Sequence, residues 1–288
     1  MEAHIDLYQA LRDLIDQISE GMVSTPLDLA DALGDRRAVR AVSEVLQREE
    51  FRDAALKIVR RPVSVGDVFR DFSSDRPLRR LRELQEKMSK QVVQEDKLGA
   101  AELVAGVDAA YRGDEAYAVC VVLDGQLEVV DSASVTVDVR FPYIPGYLSF
   151  REAPAIKAAA RHVSGFDVLL VNGHGMAHPR GCGLASHIGL NLGLATIGVA
   201  KRRLVGRVGA KADGWAPLLY KGSVVGAVLT MDGRSPVYVS IGHNISLQTS
   251  VRIVQRMTRD GRLPEPLRMA HRAAEEFRRR GVPGAARP

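Results

Sequence analysis

Long apolar runs, cysteines and aromatic residues are all scarce in this chain of 288 residues. No stretch approaches the ~18 consecutive apolar residues that a membrane-spanning helix needs, so no membrane partner is expected. Two cysteines, Cys120 and Cys182, cannot build a disulfide framework. Neither lies in a CxxC or His-rich cluster, so a structural zinc site is not expected and a reducing compartment is. The opening MEAHIDLYQ lacks the basic and apolar regions of a signal peptide, and a cytoplasmic protein is expected. What is present is ordinary globular material, 46% apolar and 26% charged, which excludes a disordered or collagen-like chain. The length suits two compact units.

Net charge is +5, and it is unevenly spread. Residues 1–100 carry 17 Lys and Arg against 19 Asp and Glu, whereas residues 101–288 carry 23 against 16. The excess in the larger C-terminal part favours a polyanionic partner.

The first fifty residues have helical period. Ile5, Tyr8, Leu11, Ile15 and Ile18 recur at three- and four-residue spacing on one face. A second helix is predicted from Thr25 as N-cap, with Pro26 at its first position, to Gly34 as left-handed C-cap. A third follows from Asp35 through Leu46. Two short helices across a Gly-containing turn, with arginines on the second, read as helix-turn-helix; the plain alternative is a helical packing domain. A polar helix is predicted from Leu78 to about Lys97. The expected domains are a DNA-binding domain over 1–75, a linker helix over 76–99 and a second domain over 100–288.

After Gly99 the period becomes that of strands. Residues 103–111, 116–123 and 127–137 read as strands, with Asp124-Gly125 as a hairpin turn. A helix is expected from about Phe150, a buried parallel strand at 168–171, a helix at 184–194, and strands at 196–200, 223–229 and 237–240. Three antiparallel strands followed by alternating helix and strand is the order of an α/β, RNase H-like mixed sheet with flanking helices. The tail RRRGVPGAARP reads as disordered, with Arg278–Arg280 free for non-specific phosphate contact.

Asp108 lies inside the first of these strands, where a carboxylate is costly unless a cation meets it. It is either an edge residue facing water or a ligand to a hard divalent cation. Glu152 follows a turn-rich loop and opens a helix, where it could simply favour the helix N-terminus. Asn172 ends the fourth strand. In the expected sheet the first and fourth strands are neighbours, so Asp108 and Asn172 come together. His4, His162, His174, His187 and His243 are weak candidates singly, and His187 reads as core.

Six ordered blocks then carry a resemblance: GVDAAY at 106–111, FPYIPGYLSFRE at 141–152, VNGHGMAHPRGCGLASHIG at 171–189, IGVAKRRLVG at 197–206, VYVSIGHNISL at 237–247 and LPEPLRMAH at 263–271. Over about 103–275 the chain resembles endonuclease V, the deoxyinosine 3′ endonuclease family of DNA repair. The resemblance implies metal carboxylates at Asp108, Glu152 and position 172, supporting basic residues at His178 and Lys201, and Mg²⁺ as cofactor, with Mn²⁺ expected to substitute. It implies a strand-separating wedge at Pro142, Tyr143, Ile144 and Pro145. A base pocket would be built from Gly146, Leu148, Gly173, Gly175, Leu184 and Ala200. His271 matches a family histidine and carries less weight. The implied reaction is hydrolysis of a phosphodiester on the 3′ side of deoxyinosine by a monomer. One departure stands out: the family has aspartate where this chain has Asn172, which supplies no charge and binds a hard cation more weakly.

The first fifty residues are also similar to the winged-helix DNA-binding domain of alkylguanine-DNA alkyltransferases. That similarity places Arg40 on the arginine inserted into the base stack and implies DNA with alkylated bases as a partner. The family's reactive cysteine would fall near Ile58-Val59-Arg60-Arg61. No cysteine precedes Cys120, so methyl transfer is excluded. The alternative function is a non-catalytic DNA-damage-binding protein that senses alkylated or deaminated bases.

Overall fold

Asp6 opens the first helix, α1 (Leu7–Ile15), by accepting from the backbone N–H groups of Tyr8 and Gln9, both at 3.0 Å. Those are two of the donors that a helix start leaves without partners. The computed structural model describes residues 5–59, 67–211, 214–231, 233 and 235–280. It divides into two units, Met1–Leu84 with Arg140–Arg151, and Gln85–Val139 with Glu152–Pro288. The division therefore differs from the expected breaks after 75 and 99. Segment 140–151 joins the first unit.

In that unit, α2 (Pro26–Leu33) starts at Thr25, whose hydroxyl accepts from the Asp28 N–H at 3.1 Å, and stops at Gly34 with φ +98°. The third helix begins as a 3-10 turn (Arg36–Ala38) capped by Asp35, then continues as α3 (Val39–Val45). Tyr8 and Phe51, both fully buried, meet edge to face with centroids 6.3 Å apart. Short bridges pair Val23 with Val68 and Ser24 with Ile58.

The predicted linker helix, α4 (Pro77–Ser89), begins in the first unit and ends in the second. It stops eight residues before Lys97. Val92 and Val93 are β-branched and poor helix formers, and the Val93 N–H donates instead to His243 Nδ1 at 3.2 Å.

The second unit is built on one nine-stranded mixed sheet. Its strands are β1 (Val104–Arg112), β2 (Glu115–Leu123), β3 (Val129–Asp138), β4 (Val168–Asn172), β5 (Thr196–Ala200), β6 (Arg207–Val208), β7 (Trp215–Tyr220), β8 (Ser223–Leu229) and β9 (Val237–His243). Their order is β3-β2-β1-β4-β5-β9-β8-β7-β6, with β1, β4 and β5 parallel and the other pairs antiparallel. Helices α5 (Leu148–Arg161), α6 (Leu184–Leu192), α7 (Leu247–Arg256) and α8 (Glu265–Arg280) follow the strands in sequence. Strands β6 and β7 and helices α7 and α8 are additions to the predicted elements. Both helices carried a readable signal: Ser246 caps α7 ahead of Leu247, Val251 and Val254, and α8 buries Leu267, Ala270 and Ala274.

Candidate active site

Gly106 and Asp108 lie two residues apart on β1 and so share one face of the sheet. A side chain at Gly106 would place its Cβ 2.3 Å from the Pro266 carbonyl carbon, so this glycine lets the start of α8 approach the strand. Farther along α8, the His271 Nδ1 meets the Asp108 carboxylate at 2.6 Å. The β1–β4 register pairs Val107 with Val171, and at the next position the Asn172 amide donates to Asp108. Burial raises the Asp108 carboxyl pKa, an effect the bonds to His271 and Asn172 partly oppose. Only 7% of the residue is exposed. His271, the candidate given less weight from sequence, thus touches the central carboxylate directly.

Among the described residues no group of three His, Cys, Asp or Glu side chains forms a metal-holding cluster. Asp108 and Asn172 each carry a side-chain oxygen of the kind a hard cation takes, and so they fit one, with less charge than paired carboxylates would supply. Glu152 is half-buried in the second turn of α5, which begins at Leu148 rather than at Phe150.

Beyond β4 the chain folds back tightly against the sheet. At Gly175 a Cβ would sit 1.9 Å from the Ile241 carbonyl oxygen, and at Gly173 it would lie 3.2 Å from Leu184. The space freed at these two positions is therefore taken by β9 and by α6. The Gly175 N–H donates to the Ser240 hydroxyl at 2.8 Å. Buried Gln85 ties the loop down, donating to the Cys182 carbonyl at 3.1 Å and accepting from Arg180 at 2.7 Å. His178 is buried and its Nδ1 accepts from the Arg180 N–H at 3.3 Å. Leu184 and Ala200 are buried, and Lys201, just past β5, is exposed. His187 is buried in α6, which lowers its pKa to about 3 and keeps it neutral.

The wedge candidates belong to the first unit. Pro142 and Ile144 are buried, whereas Tyr143 is 59% exposed and Pro145 is exposed. Gly146 takes φ +84°, a turn that sends the chain into α5 at Leu148. Arg40 points outward from α3, with 89% of its side chain exposed, and pairs with Glu44 at 2.8 Å. Of the Ile58–Arg61 stretch, Arg60 and Arg61 lie outside the described residues.

The start of the basic tail is helical, not disordered as its sequence suggests. Arg278–Arg280 are the last turn of α8, where Arg278 pairs with Glu275 at 2.8 Å and Arg280 with Glu276. The amphipathic period of α8 carries through them; residues 281–288 lie outside the described residues. Among the described residues no helix is long and apolar enough to cross a membrane.

Comparison with known proteins is consistent with this geometry. A family model described as Endonuclease V matches residues 86–272. The chain is similar to Endonuclease V of Thermofilum pendens, 48% identical over 207 residues, covering 70% of this chain and 89% of the relative. Among solved structures it is similar to Endonuclease V of Streptomyces avermitilis, 35% identical with TM-score 0.66, covering 70% of this chain and 93% of that one. It is also similar to Ciona intestinalis Endonuclease V in complex with a DNA containing an inosine followed by a ribo-adenosine, 25% identical with TM-score 0.63, covering 72% and 99%. The chain belongs to the endonuclease V family.

Proposed function

We propose that this protein is a DNA-repair endonuclease that recognises deoxyinosine and hydrolyses a phosphodiester on its 3′ side. The observation that carries the reading is the buried Asp108, bonded by Asn172 and His271 in a member of the endonuclease V family. Asp108, Glu152 and Asn172 would hold a divalent cation, Mg²⁺ or in its place Mn²⁺. When bound, that ion supplies activation of water and neutralisation of charge on the scissile phosphate. His271 fixes the Asp108 carboxylate. Lys201 offsets charge that develops on the phosphate, and His178 supports the loop behind it.

Pro142, Tyr143, Ile144 and Pro145 act as the wedge, with Tyr143 filling the gap left by an extruded base. The family resemblance assigns Gly146 and Leu148 of the first unit, and Gly173, Gly175, Leu184 and Ala200 of the second, to recognition of that base. The sheet order, three antiparallel strands leading into parallel β4 and β5, supports an RNase H-like reading. In the first unit, α2, the Gly34 turn, α3 and the bridges at 23–24 support a winged helix related to the alkyltransferase DNA-binding domain. It acts there without a reactive cysteine, on DNA carrying deaminated or alkylated bases, in a protein that works as a monomer.

Asn172 favours a second reading, a damage-binding protein that holds DNA without cutting it. A nicking assay on a duplex with one inosine, with Mg²⁺ or Mn²⁺, separates the two. A cut on the 3′ side of inosine, absent from undamaged duplex, is expected; tight binding with no cut under either ion would leave the second reading.

A further inference from the structure

The segment that carries the proposed wedge is gripped by the first unit at its start, middle and end. At the start, the Leu7 N–H donates to the Arg140 carbonyl at 3.2 Å, and Arg140 pairs with Asp6 at 2.7 Å. In the middle, Pro142 and Ile144 close an apolar pocket with Leu7, Tyr8, Leu33 and Val45. The space left there is about 10 Å³, no more than a single water needs. At the end, the fully buried Tyr147 donates its hydroxyl to the Asp35 carboxylate at 2.6 Å, with the Arg37 guanidinium 5.9 Å from its ring centroid. Between these holds, Tyr143 alone among the large apolar side chains of the segment is exposed.

The origin of these parts matters. Segment 140–151 lies inside the family match at 86–272, whereas Asp6, Leu7, Tyr8, Leu33, Asp35 and Val45 lie outside it. The proposed wedge, inside the family match, is thus seated on residues that the family model does not include.

We infer that the first unit is the seat of the wedge: Asp35, Tyr147 and the Ile144 pocket are positioning residues that present Tyr143 and set the preference for inosine-containing over undamaged duplex. The inference rests on the wedge reading above. Its physical basis is preorganisation. A free loop of this length loses backbone and rotamer freedom when it enters DNA, and that loss subtracts from affinity. A loop already fixed by an apolar plug and a buried hydroxyl–carboxylate bond has lost that freedom in folding. The gain appears only where the wedge is used, at a base that leaves the stack.

The test is a double-mutant cycle on the full chain. Dissociation constants are measured for one duplex with inosine and the same duplex without it, in the absence of divalent cation. Tyr143→Ala should lower the ratio between them by about tenfold. Tyr147→Phe, which deletes one hydroxyl and keeps the ring, and Ile144→Ala should each lower it by about fivefold. In the Tyr143→Ala background the same two changes should move the ratio by less than about twofold, because seat and wedge act as one unit. An unchanged ratio in the Tyr147→Phe protein overturns the inference, and so does an equal loss in both backgrounds. If Ile144→Ala does not fold, Tyr147→Phe decides alone. Failure of the wedge reading shows separately, as an unchanged ratio for Tyr143→Ala with the seat intact.

Discussion

On adjacent parallel strands, the side-chain amide of Asn172 donates a hydrogen bond to the carboxylate of Asp108. An aspartate at 172 would put a second negative charge against a carboxylate that burial already disfavours, and a bound cation or a proton would have to relieve it. The amide removes that conflict, and it weakens the hold on a cation with it.

Asn172→Asp should therefore melt several degrees below the parent in chelator and recover when Mg²⁺ is added. Single-turnover nicking of inosine DNA at saturating Mg²⁺ should be faster in the aspartate form by ~10² or more, the scale on which one electrostatic group acts. Equal rates would show that position 172 is not a catalytic ligand here.

The Arg40–Glu44 pair leads to opposite expectations for its two members. Arg40→Ala in the full chain should weaken binding to duplex carrying alkylated guanine and flatten the salt dependence. Glu44→Ala releases the guanidinium and removes an anion from the same face, so it should strengthen binding. Titrations at several salt concentrations decide it; no change from either variant would favour a plain packing role for α3.

Asp35 links the seat to acid stability. Burial alone would raise its carboxyl, but hydrogen bonds from Arg37 and Tyr147 outweigh that and hold it at about 2. A carboxyl depressed in the folded state contributes stability that is present above its unfolded value, near 3.8, and lost as pH falls toward about 2. The parent should lose about 1–2 kcal/mol across that window relative to Asp35→Asn, after allowance for solvent screening. Denaturant midpoints at pH 5, 4, 3 and 2 (about one unit apart) would reveal it; parallel curves would contradict the hold of Arg37 and Tyr147 on this carboxylate.

Gly175→Ala should be among the most damaging single changes in the chain. The new methyl would fall 1.9 Å from the Ile241 oxygen, a backbone atom held in β9 that cannot swing away. A loss of about 3 kcal/mol or more is expected, measured by thermal melting. A protein that tolerates alanine there would show that the 173–175 turn is not packed against β9.

Several elements were legible from sequence because their signals are local. Thr25, Pro26 and Gly34 mark both ends of α2 through side-chain capping, a fixed φ and a left-handed stop, all within one turn of the ends. The apolar character of β1 and the short apolar run 168–171 of β4 are equally short-range. Asp108 stood out for the same reason, as a charge inside an apolar strand. The partner of that charge was not legible. His271 lies 163 residues away and reaches Asp108 only because Gly106 admits the start of α8 against β1. The seat of the wedge is likewise a tertiary fact: motif spacing identifies the Pro-Tyr-Ile-Pro loop, but the burial of Ile144 among α1 and α3 side chains depends on long-range packing. The sequence by itself determined the family, the helix ends and the residue types available for chemistry, since these depend on order and local sterics. Tertiary structure alone decided which side chain steadies Asp108, what fills the space at Gly175 and which unit holds Tyr143 in place, because each depends on surfaces brought together from distant parts of the chain.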